Sequence, residues 1–202
     1  AIGEFCQSKQ GFLIVDEIYL DLSLDTHNAI DASLSTNSSP QSALGFNSLE
    51  DTIIVINSFS KYFGMTGWRL GWCVVPEPMI SVVEKLSQNL FICPSTLSQQ
   101  AALACFTPEA LAQCEKNRQT LNTRASTVIS AINEMGLHID ALPDGAFYAY
   151  INIEKTGLTA MTFCDKLLKE FHVALTPGND FGDHNANNYV RLSFATDIER
   201  LT

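Results

Sequence analysis

One stretch of this sequence decides how the rest is interpreted: SFSKYFGMTGWRLG, residues 58–71. Two serines precede Lys61, glycines interrupt the loop that follows, and Arg69 comes eight residues after the lysine. Serine hydroxyls donate hydrogen bonds, and a guanidinium group binds two oxygens in a fork. Ser58, Ser60 and Arg69, with nearby backbone N–H groups, are therefore candidates to surround a phosphate dianion.

Lys61 adds an amine beside this candidate phosphate site. A lysine in that position favours a Schiff base with a phosphorylated aldehyde, which indicates pyridoxal phosphate as the cofactor. A lone lysine or arginine in a Ser/Gly loop is more often a solvated surface residue. The complete spaced string favours the cofactor site instead.

A second motif, VDEIY at residues 15–19, follows an apolar run that begins at Phe12. This run predicts a buried strand of the kind found in parallel sheets, and Asp16 closes it at the end where open α/β sheets bind ligands. Asp16 is the candidate acid to face the ring nitrogen of pyridoxal phosphate and keep it protonated. Tyr19 is the candidate donor to the ring's phenolic oxygen. Taken alone, the D-x-x-Y pattern is better explained by a capping aspartate and a packed tyrosine.

A third motif places Arg191 inside the short apolar stretch YVRLSF, residues 189–194. A charge in such a strand needs a partner, and the carboxylate of an amino acid would satisfy it in bidentate fashion. A structural ion pair with an aspartate or glutamate explains the arginine equally well. The turn-rich loop at 176–182, just upstream, is a candidate to close over a ligand.

Strand and helix patterns alternate along the chain, which is typical of the α/β class. Apolar runs predict strands at 12–15, 53–56, 71–75, 146–153, 173–175 and 189–194. Helical spacing predicts helices at 79–91, from Pro108 to Gly136 with Thr107 as N-cap, and after Thr159. Residues 21–50 are rich in Ser, Asn and Asp and predict a long surface loop with a possible helical turn.

Four motifs occur in a fixed order: D-E-x-Y at 16–19, the lysine string at 58–71, P-G-x-x-F-G at 177–182 and V-R-L-S-F at 190–194. This order resembles the class I/II aminotransferases, which are fold-type I pyridoxal-phosphate enzymes. The resemblance covers almost the whole chain, and the lysine string is its most specific part.

The resemblance implies a role for each candidate residue. Lys61 would form the Schiff base, Asp16 would face the pyridine nitrogen, and Tyr19 would face the ring oxygen. Three side chains would bind the phosphate: Ser58, Ser60 and Arg69. Arg191 would hold the α-carboxylate of the substrate, and the segment 143–148 would border that substrate.

The resemblance also implies an architecture. The chain would supply the second half of the fold-type I large domain, a mostly parallel sheet flanked by helices, and a small α+β C-terminal domain that is incomplete at its end. The expected domains are residues 1–107, a linking helix at 108–136 and the small domain at 137–202. Because family members are much longer, we expect the chain by itself to be inactive and the full-length parent to form a homodimer.

The expected reaction is transfer of an amino group between an amino acid and a 2-oxo acid. Two alternatives use the same scaffold. One is a different reaction of a fold-type I enzyme, such as a C–S lyase, synthase or decarboxylase. The other is an aminotransferase-like effector domain of a transcription regulator, which senses a ligand without turnover.

Composition excludes several classes of partner. The net charge of −10 argues against binding to nucleic acid or to anionic membranes, because like charges repel. The uncharged stretch 86–108 is too polar to span a bilayer, and the first residues show no signal peptide. The six cysteines form no C-x-x-C pair and the four histidines are scattered. We therefore expect reduced thiols, no metal and a cytoplasmic location.

Overall fold

The computed structural model describes residues 1–24 and 41–201. The described residues fall into two compact units. Residues 1–23 and 41–116 belong to the first unit, and residues 24 and 117–201 belong to the second. The architecture confirms the α/β class, because each unit combines a three-stranded sheet with helices. The domain limits expected from the sequence stay a prediction.

The described part of the first unit contains three strands and three complete helices. The strands are β1 (Leu13–Asp16), β2 (Ile53–Ser58) and β3 (Gly71–Val74), and the helices are α1 (Ile2–Ser8), α2 (Ile80–Leu90) and α3 (Thr96–Leu103). A 27-residue helix, α4 (Pro108–Glu134), begins in this unit and continues into the second. Neither α1 nor α3 was predicted from the sequence.

The sheet of the first unit has the order β1–β2–β3. β1 runs parallel to β2, with Asp16 opposite Ile56, and β3 runs antiparallel to β2. The expectation that β1 is buried throughout is wrong for the described residues, because its side chains alternate and Ile14 is 62 % exposed. One face of the sheet packs onto a small core built around Ile53 and Val55.

The predicted surface loop at 21–50 lies partly outside the described residues. Its described ends are more ordered than expected, with 3-10 turns at Ala43–Gly45 and Asn47–Leu49. Leu22 and Leu49 are buried, so these ends contribute apolar side chains to the cores. The helical turn allowed by the sequence is confirmed.

The second unit contains the sheet β4–β6–β5, which is antiparallel throughout. Its elements are β4 (Tyr148–Asn152), α5 (Ala160–Phe171), β5 (Thr176–Pro177) and β6 (Tyr189–Ser193). α4 and α5 contribute side chains to a core that includes Val128, Ile151 and Phe194. The hydroxyl of Thr159 accepts a hydrogen bond from the N–H of Thr162, which confirms the predicted cap.

Two strand predictions in this unit need correction. The strand predicted at 173–175 is wrong, because pairing with β6 begins only at Thr176. His172 ends α5 in a left-handed conformation, and the chain uses the next residues to reach the sheet. The strand predicted at 146–153 starts later, at Tyr148, because Ala146 has a φ of +63°, which a strand does not accommodate.

The long helix α4 has the expected ends. The hydroxyl of Thr107 accepts a hydrogen bond from the N–H of Ala110 at 3.3 Å, which is an N-cap contact. Gly136, with a φ of +75°, follows the last turn, and its N–H donates to the carbonyl of Asn133. A left-handed glycine just past a helix is a common way to end it.

Gly71 allows β2 and β3 to approach each other. A Cβ atom built on Gly71 would lie 2.7 Å from the carbonyl oxygen of Asn57, which is too close for any side chain. Gly71 pairs with Ser58, the last residue of β2, so this contact sets the register at the end of the strand. Gly67 lies in the same loop, and a Cβ atom there would meet nothing within 4 Å.

We predict that Gly71→Ala lowers the free energy of unfolding by about 1–3 kcal/mol, because the strands must separate to admit the methyl group. Gly67→Ala is the matched control and should change it by no more than about 0.5 kcal/mol. Urea denaturation of the protein that carries this chain measures both. Equal stability of the two variants would contradict the role assigned to Gly71.

Candidate active site

The carboxyl ends of β1 and β2 bring the candidate residues together. Asp16 is the last residue of β1, and Ser58 is the last residue of β2. Because the two strands are parallel, both ends lie at the same edge of the sheet. Open α/β sheets bind their ligands at this edge.

The turn after β1 carries Asp16 and Tyr19. One carboxylate oxygen of Asp16 accepts a hydrogen bond from the N–H of Ile18 at 3.2 Å, and the side chain is exposed. Tyr19 presents its ring to the lysine loop, and Nζ of Lys61 lies 5.3 Å from the ring centroid. A cation at that distance is attracted by the ring face. The structure therefore brings Lys61 beside the turn that holds the two β1 candidates.

The lysine loop begins with two serines whose hydroxyls are neighbours. The N–H of Ser60 donates to Oγ of Ser58 at 3.0 Å, and the two Oγ atoms are 2.9 Å apart. Oγ of Ser58 also lies 3.1 Å from the carbonyl oxygen of Leu70, so its single proton has two acceptors to choose from. A phosphate oxygen would offer these hydroxyls a stronger, charged acceptor.

Side-chain contacts to the backbone hold the far part of this loop. Oγ1 of Thr66 donates to the carbonyl of Ser60 at 2.7 Å. Nη1 of Arg69 donates to the carbonyl of Thr66 at 3.0 Å. Oγ of Ser98, buried on α3, donates to the carbonyl of Trp68 at 2.7 Å. The loop is thus held to its own backbone at two points and to a helix at a third.

Arg69 has an unusual backbone conformation, with φ 51° and ψ 49°. Few residues other than glycine adopt this left-handed region, and its cost must be offset by the surrounding contacts. The guanidinium is exposed and uses one nitrogen for Thr66. Among the described residues no carboxylate pairs with Arg69, so its other N–H groups remain available to an anion.

A cluster of buried apolar side chains packs against the lysine loop. Phe59, Met65 and Leu70 are buried together with Ala102 of α3. The ring of Phe59 contacts those of Phe63, Trp72 and Phe106, with centroid distances from 5.0 to 5.9 Å. Apolar side chains therefore alternate with polar ones along this stretch, and the polar ones lie at the sheet edge.

The donor set fits pyridoxal phosphate. Two hydroxyls, one guanidinium and one lysine amine stand on a single loop, and a carboxylate with a tyrosine stands on the neighbouring strand end. These groups match the phosphate, the aldehyde carbon, the ring nitrogen and the ring oxygen of that cofactor. Within residues 1–24 and 41–201 no cluster of three or more His, Cys, Asp or Glu side chains has the arrangement of a metal site.

Arg191 lies in the second unit, on the central strand β6. Two aromatic rings contact its guanidinium, whose Cζ atom lies 4.2 Å from the centroid of Tyr148 and 4.5 Å from that of Phe181. In the part of the chain that the structure describes, Arg191 has no carboxylate partner. The ion pair considered from the sequence is absent there, so the N–H groups of the guanidinium remain available to an incoming carboxylate.

Three residues of these sites were not given an individual role from the sequence. Tyr148 and Phe181 contact the guanidinium of Arg191, and Glu17 is a buried carboxylate beside Asp16. All three stood inside segments singled out from the sequence: Tyr148 in 143–148, Phe181 in P-G-x-x-F-G and Glu17 in D-E-x-Y. Their contacts to distant residues left no local signal.

A cluster of polar side chains surrounds Tyr189, the first residue of β6. The hydroxyl of Tyr189 donates a very short hydrogen bond to Asp140, Asn152 donates to the same carboxylate at 3.3 Å, and Nε2 of His138 lies 2.7 Å from it. These contacts, led by that of Tyr189, lower the pKa of Asp140 below its ordinary value. The same bond raises the pKa of Tyr189.

The comparisons with known proteins agree with this geometry. The family model for aminotransferase class I and II matches residues 1–202. The valine–pyruvate aminotransferase of Mycobacterium tuberculosis is 36 % identical over 195 residues, which are 96 % of this chain and 47 % of that protein. The (5-formylfuran-3-yl)methyl phosphate transaminase of Methanocaldococcus jannaschii is 36 % identical over 202 residues, covering 99 % and 50 %.

Solved structures give the same result. The crystal structure of the aromatic aminotransferase from Pyrococcus horikoshii superimposes with a TM-score of 0.87 at 34 % identity, covering 99 % of this chain and 50 % of that one. An aminotransferase from Mycobacterium tuberculosis gives 0.85 at 36 % identity, covering 99 % and 48 %. The chain thus spans about half the length of the relatives it matches.

These matches define a class of protein, the fold-type I enzymes that depend on pyridoxal phosphate. Within that class, the chain belongs to the class I and II aminotransferase family. The family resemblance drawn from the motif order is confirmed. Across the described residues, no helix is long and apolar enough to cross a membrane.

We predict that Tyr189→Phe raises the pKa of Asp140 towards the ordinary value, because the strongest donor to the carboxylate is removed. A depressed carboxyl pKa stabilises the fold at pH above the unfolded value, and this contribution is lost as the pH falls through the folded pKa. The variant should therefore lose stability near neutral pH and lose less of it in acid. NMR titration of the Asp140 carboxyl carbon measures the shift.

Tyr150→Phe is the matched control for this prediction. Tyr150 stacks on Tyr189 with centroids 4.9 Å apart, but it makes no hydrogen bond to Asp140. The control should leave the pKa of Asp140 unchanged. An unchanged Asp140 pKa in Tyr189→Phe as well would show that the hydroxyl does not hold the carboxylate in its charged form.

Proposed function

We propose that the protein carrying this chain transfers an amino group between an amino acid and a 2-oxo acid, with pyridoxal phosphate attached to Lys61. The observation that carries the proposal is the position of the Lys61 amine. It lies 5.3 Å from the Tyr19 ring, on a loop that begins with two adjacent serine hydroxyls. The membership of the chain in the aminotransferase family supports the same activity.

The residues at the sheet edge bind different parts of the cofactor. Ser58 and Ser60 donate hydroxyl hydrogen bonds to the phosphate, and Arg69 adds charge and a planar pair of N–H groups. The carboxylate of Asp16, at the end of β1, stabilises a positive charge on the ring nitrogen. Tyr19 donates its hydroxyl to the ring oxygen.

When bound, pyridoxal phosphate supplies an electron-accepting ring and an aldehyde carbon that links to amino groups. The role of Lys61 is proton transfer. Once the amino group of the substrate has displaced it, Nζ acts as a general base that accepts the proton from the α-carbon of the substrate, and then as a general acid that donates it. The amine lies 5.3 Å from the centroid of the Tyr19 ring, which keeps it beside the turn that carries Asp16 and Tyr19.

Arg191 is the proposed receptor for the α-carboxylate of the substrate. The rings of Tyr148 and Phe181 lie within 4.5 Å of its guanidinium carbon and attract the cation, without an ion pair from the described chain. A carboxylate can then approach in the plane and form two parallel hydrogen bonds. This arrangement suits amino acids and 2-oxo acids alike, because both carry the same carboxylate.

Other reactions on this scaffold are not favoured. The two relatives described above are named as an aminotransferase and a transaminase, which supports amino transfer over elimination and over a ligand-sensing effector domain. We further infer a homodimer for the full-length protein and a location in the cytoplasm. The latter is supported by six free cysteines and no disulfide among the described residues.

An isotope test decides between these functions. The full-length protein that carries this chain is given a panel of amino acids with labelled amino nitrogen, together with a 2-oxo acid and pyridoxal phosphate. We expect the label to appear in a new amino acid derived from the 2-oxo acid. Release of the label as ammonia would contradict the proposal in favour of elimination. Binding without turnover would contradict it in favour of an effector domain.

We predict that Arg69→Gln weakens binding of pyridoxal phosphate about tenfold or more, because a charged bidentate partner of the phosphate is lost. Binding of pyridoxal, which lacks the phosphate, should change by less than about twofold. Absorbance titration of the full-length protein with each compound measures both affinities. Arg200→Gln, an exposed arginine of the second unit, is the control. Equal weakening for both compounds would place Arg69 elsewhere than on the phosphate.

A further inference from the structure

Glu17 is a buried carboxylate that the proposed reaction does not use. Its side chain is only 7 % exposed, although it directly follows the exposed Asp16. A buried charge is costly unless it is paired or hydrogen-bonded. Among the described residues no lysine, arginine or histidine pairs with Glu17, so hydrogen bonds alone must compensate for its burial.

Those hydrogen bonds come from a segment 25 residues further along the chain. The N–H of Ala43 donates to Oε1 of Glu17 at 2.6 Å. Oγ of Ser42 lies 3.1 Å from Oε1 and 2.9 Å from Oε2, so one hydroxyl proton serves the carboxylate. Both donors act on a charged acceptor, which makes these bonds stronger than neutral ones.

The donor segment is itself fixed. Oγ of Ser42 accepts a hydrogen bond from the N–H of Leu44 at 3.2 Å and so caps the 3-10 turn Ala43–Gly45. Ala43 packs against the core of Ile53 and Val55. The carboxylate of Glu17 is therefore attached to a short turn that rests on the sheet.

The backbone of Glu17 is equally constrained. Its N–H donates to the carbonyl of Ile56 at 2.8 Å, which extends the pairing of β1 with β2 by one residue. Its carbonyl accepts from the N–H of Leu20 at 2.9 Å and closes the turn that contains Tyr19. Glu17 thus joins the end of β1, its neighbour β2 and the turn 42–45.

We propose that Glu17 is a positioning residue of the cofactor site: by attaching the turn after β1 to the Ser42–Ala43 segment, it fixes where Asp16 and Tyr19 stand. The inference rests on the function proposed above. Binding sites need their contacting groups held to a fraction of an ångström by a second layer of hydrogen bonds. Glu17 is adjacent to one contacting residue and two positions from the other.

The test compares Glu17→Ala, Glu17→Gln and Ser42→Ala in the full-length protein, with Glu84→Gln as the control. Glu84 is an exposed glutamate on α2. The first readout is the Kd for pyridoxal phosphate. Glu17→Ala should raise it about tenfold, because Asp16 and Tyr19 lose their fixed placement. Glu17→Gln keeps one carbonyl oxygen for the N–H of Ala43 and should restore most of the affinity.

The second readout is the pH midpoint of the visible absorption of the bound cofactor, which a general loss of stability would not change. The visible absorption of the lysine-bound cofactor changes with pH. The midpoint of this pH titration depends on how closely the Asp16 carboxylate is held to the ring nitrogen. In Glu17→Ala this midpoint should move upward by about half a pH unit or more, because a less positive ring repels the proton at the linked nitrogen less. Ser42→Ala should move it in the same direction by a smaller amount.

The outcomes separate this inference from the proposed function. A wild-type protein that does not attach the cofactor to Lys61 would sink the proposed function. A wild-type protein that attaches it, with Glu17→Ala matching the control in Kd and in pH midpoint, would overturn the role of Glu17 alone. If Glu17→Ala does not fold, Ser42→Ala decides, and a wild-type Kd and pH midpoint in that variant would overturn the inference.

Discussion

Parallel pairing of β1 with β2 is the constraint on which the rest of the site depends. Asp16 stands opposite Ile56, so the carboxyl ends of the two strands reach the same edge of the sheet. A shift by one residue would turn the Asp16 side chain to the opposite face, because side chains alternate along a strand. This register places the acid at the end of β1 at the same edge of the sheet as the lysine loop that follows β2.

Two kinds of force maintain that arrangement. Apolar packing under the loop, centred on Phe59 and Leu70, gives the stretch a rigid base. Hydrogen bonds from Thr66 and Ser98 to backbone carbonyls then hold the loop in a shape that includes a left-handed Arg69. Neither force alone would place the polar side chains, since packing has no direction and a few hydrogen bonds each contribute only about 1 kcal/mol. Their combination fixes a loop rich in glycine and hydroxyls.

Much of the fold and of the candidate site was predictable from the sequence, because motif order and hydrophobic spacing are local. The strand that Asp16 closes and the strand that precedes Ser58 were found in this way. What remained hidden depends on contacts between distant residues. The bond from Ser42 to Glu17 and the contact of Tyr148 with Arg191 leave no periodic signal. The positive φ of Ala146, because of which β4 begins only at Tyr148, likewise leaves no signal in an apolar stretch of sequence.

We propose that the sheet edge presents Lys61 to the aldehyde of pyridoxal phosphate. The most direct test is reduction of the full-length protein with borohydride in the presence of pyridoxal phosphate, followed by peptide mapping. We expect a single labelled peptide that carries the cofactor on Lys61. Label on any other lysine, or label spread evenly over exposed lysines, would contradict it.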